Sequence, residues 1–177
     1  MDEALTDIVH KFFKNDENAT LCVLRKIKTA HKVTSRKIKF LGMGEYGIAI
    51  QIGNIAIKFS KRRREAVAAH ILMKTPILEA YKVYGVYEYG KPRHKIYMIV
   101  SEVLFEGKHD YRMTTSKKAE NWLDSAMHAL DSVGIDHADV HEDNIMKRKN
   151  GQHVLIDFGN AKISNAKKVK FDNLLDQ

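Results

Sequence analysis

The stretch HADVHEDN, His137 to Asn144, places two histidines, three acids and an amide within one short segment. Two chemistries compete for it. Zinc would draw on several Cys or His ligands. His137 and His141 are the available pair, but Gly134 stops the pattern ahead of them, so they need not share a helical face. Magnesium takes carboxylate and amide oxygens together with water and phosphate oxygens. Asn144 and Asp157, which opens the sequence DFG, supply that donor set. Asp139 then remains free to orient a hydroxyl and accept its proton. A polar turn between buried segments is the bland alternative.

A second group of residues stands upstream. Gly42, Gly44 and Gly47 form GxGxxG between two alternating segments, KIKFL and IAIQI. A glycine loop between a strand and a helix would suggest a dinucleotide fold. Between two strands it can instead lie over phosphates, because missing side chains let backbone N–H groups approach the oxygens. Lys58 follows in IAIKF. Alternation puts Ala56 and Lys58 on one face and Ile55, Ile57 and Phe59 on the other. A lysine among apolar neighbours is costly unless paired. A phosphate and a helix carboxylate would pair it, and Glu65 is the candidate carboxylate. The competing reading is an edge-strand lysine facing water.

These residues need elements to hold them. Leu5, Ile8, Val9, Phe12 and Phe13 recur with helical period, and NDEN interrupts them. Leu21, Val23, Leu24 and Ile27 continue as a second helix. KIKFL, IAIQI and IAIKF predict three antiparallel strands, the last two joined by a Gly53-Asn54 turn. Lys61 to Met73 reads as a helix stopped near Pro76. YKVYGVYEYG and KIYMIVSEVL predict a hairpin turning through GKPRH. Thr114 or Thr115 can cap a helix carrying Trp122, Leu123, Ala126, Met127, Leu130 and Val133, ended by Gly134. HVLIDFG reads as a short buried strand, and the tail is weakly patterned. The grammar changes near Glu106, from strand-rich to helix-rich.

The order GxGxxG on a hairpin, strand Ala-x-Lys, helix Glu, HxDxxxxN and DFG resembles the protein kinase family over roughly residues 37–159. The resemblance implies an α+β, two-lobed kinase-like fold. It would comprise an N-terminal helical extension (1–35), an antiparallel-sheet lobe with one main helix (36–105) and a reduced helical lobe (106–177). It implies that the glycine loop covers the phosphates of ATP, that Lys58 contacts the α and β phosphates and that Glu65 braces Lys58. Asp139 would be the catalytic aspartate, with Asn144 and Asp157 holding Mg2+. Ser101 would be the gatekeeper, the backbones of Glu102 and Leu104 would meet the adenine edge, and Ala49 and Ala56 would form its roof.

Departures from the pattern refine the expectation. Ala138 stands where many regulated kinases carry arginine, so control through a phosphorylated activation loop is not expected. His141 stands where many serine/threonine kinases carry lysine. A histidine there is similar to aminoglycoside and choline phosphotransferases, and it would act beside the phosphates. Only a short stretch follows Gly159, which resembles the minimal kinases of bacteriophages and bacterial effectors. The resemblance therefore implies an ATP- and Mg2+-dependent protein serine/threonine kinase. A kinase-like binding protein without catalysis and a small-molecule kinase are the alternatives.

Composition bounds the partners. The 177-residue chain carries a formal net charge of +8, which favours an acidic protein substrate or other acidic partner. KRRRE, Lys61 to Glu65, reads either as solvated helix turns or, with Lys167, Lys168 and Lys170, as a basic docking face. A partner docked on the reduced second half would complete the substrate platform. No stripe of stacking aromatics supports a nucleic-acid partner. The N-terminus does not read as a signal peptide, and no apolar run approaches the ~20 residues of a membrane span. The single cysteine, Cys22, excludes an intrachain disulfide and fits a reducing compartment. A cytoplasmic location is expected, in a host cell if the chain is viral or an effector.

Overall fold

The computed structural model describes Phe13 and residues 17–91, 94–106, 117–164 and 169–173. The expected helix over Leu5, Ile8, Val9 and Phe12, the Thr114 or Thr115 cap, and Lys167 and Lys168 lie outside the described residues. The fold is α+β. Its main sheet has the strands β1 (Ile38–Gly44), β2 (Gly47–Ile52), β3 (Ile55–Ser60), β4 (Val83–Tyr89) and β5 (Ile96–Glu102), in the order β1-β2-β3-β5-β4. All neighbouring pairs among these five are antiparallel. Gly53 turns β2 into β3 with φ of 60°, a conformation that a Cβ would strain.

The sheet is covered on both faces. On one face α1 (Glu17–Ala30) presents Val23, Leu24 and Ile27 to the alternating isoleucines of β2 and β3. Ile55, Ile57 and Phe59 all point into this cluster, and Phe13 meets the Phe59 ring edge-on with centroids 5.5 Å apart. On the other face α2 (Arg63–Lys74) lays down Ala66, Ala68, Ala69 and Leu72. The alanines let the helix backbone approach the sheet closely. The same cluster continues into Ala126 and Leu130 of α3 (Lys117–Ser132) and into Phe158, so it spans the division read near Glu106.

Of the short strands, only the one at His153–Leu155 was expected, within HVLIDFG. β6 (Phe105–Glu106), β8 (Ile145–Lys147) and β9 (His153–Leu155) form one small sheet, and β7 (Ile135–Asp136) pairs with β10 (Lys162–Ile163). β11 (Asp172–Asn173) runs parallel to β4 and adds a sixth strand to the main sheet. Phe171 packs beside Tyr97 and His70 there, so tail residues return to the first half of the chain. Two- and three-residue strands are too short for a period to be read from sequence.

One side chain ties these parts together. Arg148 meets Glu102 in a fork, with Nε 3.0 and 3.1 Å from its two oxygens and Nη2 2.9 Å from Oε1. It also donates to the carbonyls of Leu78 and Ala80. Arg148→Met should cost about 2–3 kcal/mol in urea unfolding, because a mostly buried carboxylate and two carbonyls lose donors. Arg148→Lys should recover little, since an ammonium cannot reproduce the fork. Full recovery by lysine would show that charge alone matters here.

Candidate active site

Every site residue expected from sequence lines one cleft of about 1000 Å3 between the glycine hairpin and the 137–160 region. The cleft is built outward from β3. Lys58 sits on the face opposite Ile57 and Phe59, as alternation requires, and 30% of its side chain is exposed. Its Nζ lies 2.5 Å from Glu65 and 3.2 Å from Asp157. Glu65 is only 2% exposed; it sits in the first turn of α2, and its second oxygen accepts from Ser60 Oγ at 2.7 Å. Burial alone would depress the Lys58 ammonium. The Glu65 carboxylate, followed by that of Asp157, outweighs burial and moves its pKa up. Lys58 is therefore a held cation and not an edge lysine. Tyr81 lies buried nearby, and burial, reinforced by Glu65 and Asp157, pushes its hydroxyl well above the usual range.

The hairpin differs in detail from a loop. β1 runs through Gly44, and only Glu45 and Tyr46 separate it from β2. None of the three glycines has a positive φ. Their use is space. A Cβ on Gly47 would collide with the Phe59 carbonyl, whereas one on Gly42 or Gly44 would meet nothing within 4 Å. Gly47 serves strand packing, and the other two leave the cleft face open. Ala49 and Ala56 lie below, and Ala56 pairs with Ser101 across β3 and β5. The Glu102 N–H donates to the Lys82 carbonyl at 3.0 Å. The Glu102 carbonyl accepts from Ser101 Oγ at 3.3 Å, and its second lone pair is left for a ligand edge, beside Leu104.

The opening stretch is an ordered loop entering a short 3-10 turn, Glu142–Asn144. His137 is fully buried, with Nε2 2.8 Å from the Ile156 carbonyl and its ring against Phe158 at 4.6 Å between centroids. His141 belongs to another cluster: Nε2 is 2.9 Å from Asn144 Nδ2 and 3.8 Å from Asp139 Oδ1. The two histidines do not converge, which removes the zinc pairing. Asn144 Nδ2 also donates to the Asp139 carbonyl at 2.9 Å. Both amide hydrogens are spent inside the loop, and the amide oxygen is left for an outside partner. Asp157 is left-handed, φ 59°, with Oδ1 engaged by Lys58 and by the Gly159 N–H.

Sequence reading missed Tyr46, Arg62 and Asn160. Arg62 is not a solvated helix residue: its Nη1 reaches the Gly159 carbonyl at 3.0 Å and Asn160 Oδ1 at 2.5 Å. Arg63 likewise donates to the Val169 carbonyl at 2.9 Å. A run of four cations gives no signal as to which of them turns inward.

The buried His137 carries a pH signature. Burial lowers its pKa, partly offset by the Ile156 bond and Asp139, and its Nδ1 has no hydrogen-bond partner among the described residues. The unfolded histidine takes its proton near pH 6.5 and the folded one lower. Between those values the unfolded state binds more protons, so stability falls as pH drops through about 6.5. His137→Gln should flatten this slope, leaving the contributions of His31 and His70, whose pKa values burial also lowers. Parallel profiles of unfolding free energy against pH for both proteins would contradict the assignment.

No protein-family model matches the chain, and no curated protein matches it.

Proposed function

We propose that this chain is an ATP- and magnesium-dependent phosphotransferase with a kinase-like two-lobed fold, acting on a serine or threonine hydroxyl of a protein. The observation that carries the proposal is the meeting of Lys58, Glu65, Asp139, Asn144 and Asp157 in one cleft under the glycine hairpin. An antiparallel sheet with one helix between β3 and β4 agrees with it.

Each residue then has a physical role. Lys58 carries a positive charge kept by Glu65 to the α and β phosphates. The open faces of Gly42 and Gly44 let phosphate oxygens approach the hairpin backbone. Ala49 and Ala56 leave room for the adenine ring, Ser101 leaves space behind it, and the Glu102 carbonyl and Leu104 N–H address its edge. Asn144 and Asp157 suit magnesium, since the amide oxygen and Asp157 Oδ2 are oxygen donors with no bond among the described residues. The ion when bound supplies neutralisation of phosphate charge. As the acceptor oxygen bonds to phosphorus, the phosphorus–oxygen bond to ADP breaks and its electron pair leaves with ADP. The acceptor proton passes to Asp139. His141, beside Asp139, faces the transferred group. Exposed cations such as Arg64 and Lys170 favour an acidic protein substrate, and that steering should weaken with salt.

The test is labelled ATP with the protein alone, with generic protein and with cell lysate. Label on protein is expected; label confined to small molecules, or none, would replace the proposal with a small-molecule kinase or a binding protein. Asp139→Asn should lower turnover about 100- to 10,000-fold. Lys58→Met should weaken nucleotide binding, and unchanged affinity and transfer would sink the lysine's role.

The glycines give a sharper separation. Gly42→Ala and Gly44→Ala should weaken ATP binding at unchanged melting temperature, while Gly47→Ala should lower the melting temperature itself. Equal thermal losses at all three positions would show that the open space around Gly42 and Gly44 has no ligand role.

A further inference from the structure

We infer that Arg62 and Asn160 form a positioning relay for Asp139, switched by the glycine hairpin. Asn160 Nδ2 donates to Asp139 Oδ2 at 2.9 Å. Its Oδ1 accepts from Arg62 Nη1 at 2.5 Å. A guanidinium has only hydrogens to offer, so the Asn160 oxygen must face Arg62 and its NH2 must face the carboxylate. The amide is therefore oriented by Arg62. In turn Arg62 is fixed from three sides, one of them the Gly159 carbonyl, to which Nη1 donates at 3.0 Å. Its backbone N–H donates to Ser60 Oγ at 3.1 Å, the hydroxyl that also serves Glu65. Its guanidinium carbon lies over the Tyr46 ring, 3.3 Å from the centroid.

Tyr46 belongs to the turn between β1 and β2, and its carbonyl accepts from the Lys61 N–H at 3.0 Å. A closed hairpin thus holds Arg62, Arg62 holds Asn160, and Asn160 holds one oxygen of Asp139. The other oxygen, Oδ1, is left to take the acceptor proton. A hairpin lifted from the cleft loses the Tyr46 stack, leaves Arg62 on the Gly159 carbonyl and Ser60 alone, and so loosens the hold on the carboxylate. The Asn160 bonds are solvent-exposed, which makes them easily broken and remade. The kinetic consequence rests on the proposed phosphotransfer, while the coupling from Tyr46 to Asp139 does not.

The test uses the full chain. Asn160→Ala should lower turnover about 10- to 100-fold, a loss typical of a misplaced reacting group, with KM for ATP and melting temperature unchanged. Arg62→Lys should do the same, and the double variant should be no worse than either single one, because the two act as a unit. Independently of activity, the side-chain amide NMR signals of Asn160 should shift on Tyr46→Ala and on Asp139→Asn. Asn160 signals indifferent to both substitutions, or turnover unchanged by Asn160→Ala, would overturn the relay. Coupled signals in a protein that transfers no phosphate would uphold the relay and overturn the phosphotransfer reading. Transfer with uncoupled signals would do the reverse.

Discussion

The ion pair between Lys58 and Glu65 is the constraint on which the cleft depends. Glu65 is almost fully buried, and a buried carboxylate without a partner is not tolerated in a protein interior. The pair therefore pins the first turn of α2 against β3. Because α2 also packs Ala66, Ala69 and Leu72 into the second cluster, fixing its start fixes the surface that residues 158–160 rest upon. Ser60 completes the arrangement by bonding Glu65 with its hydroxyl hydrogen and accepting from Arg62 with its oxygen. One charge pair thus aligns a strand, a helix and the entry to that helix.

Strain gathers at the other wall of the cleft. Among the described residues, Lys32, Ala138 and Asp157 are the non-glycine residues with positive φ. The left-handed conformation costs an ordinary residue about 1–2 kcal/mol. Two of the three flank the cleft carboxylates. Ala138 is held by its N–H bond to Asp136 Oδ1 at 3.0 Å, and Asp157 by its own bond to the Gly159 N–H. Beneath both, Phe158 and His137 are fully buried against each other. The buried pair fixes the loop backbones, and the strained torsions turn Asp139 and Asp157 toward the same space. Strain that surrounding packing over-determines is typical of functional sites.

At the far edge the cleft is closed by polar bonds. The Glu102 carboxylate accepts from the Lys82 N–H at 2.7 Å as well as from Arg148. β5, the segment before β4 and the β8–β9 hairpin therefore meet at one carboxylate. Such a junction is rigid only while all its members are present. The parallel strand β11 adds a second connection along β4, at that edge of the sheet, through backbone bonds that any sequence with compatible side chains can make.

Much of this was legible in the sequence because period and side-chain chemistry are local. The alternation of IAIKF separated Lys58 from Ile57 and Phe59 before any partner was known. The stripe through Trp122, Ala126 and Leu130 marked its helix, and the types of Asp139, Asn144 and Asp157 marked a magnesium-like donor set. What those residues touch was decided only by tertiary structure. Arg62 and Arg63 are neighbours in a run of like charges, yet one faces Tyr46 and Asn160 and the other the Val169 carbonyl. Three glycines in one motif divide between packing and open space, because only Gly47 lies against a neighbouring strand's carbonyl. A histidine in HADVHEDN is buried and its neighbour is exposed, since the direction of each depends on the left-handed turn at Ala138 between them. Contacts between residues distant in sequence leave no period behind, and so they are settled only when the chain has folded.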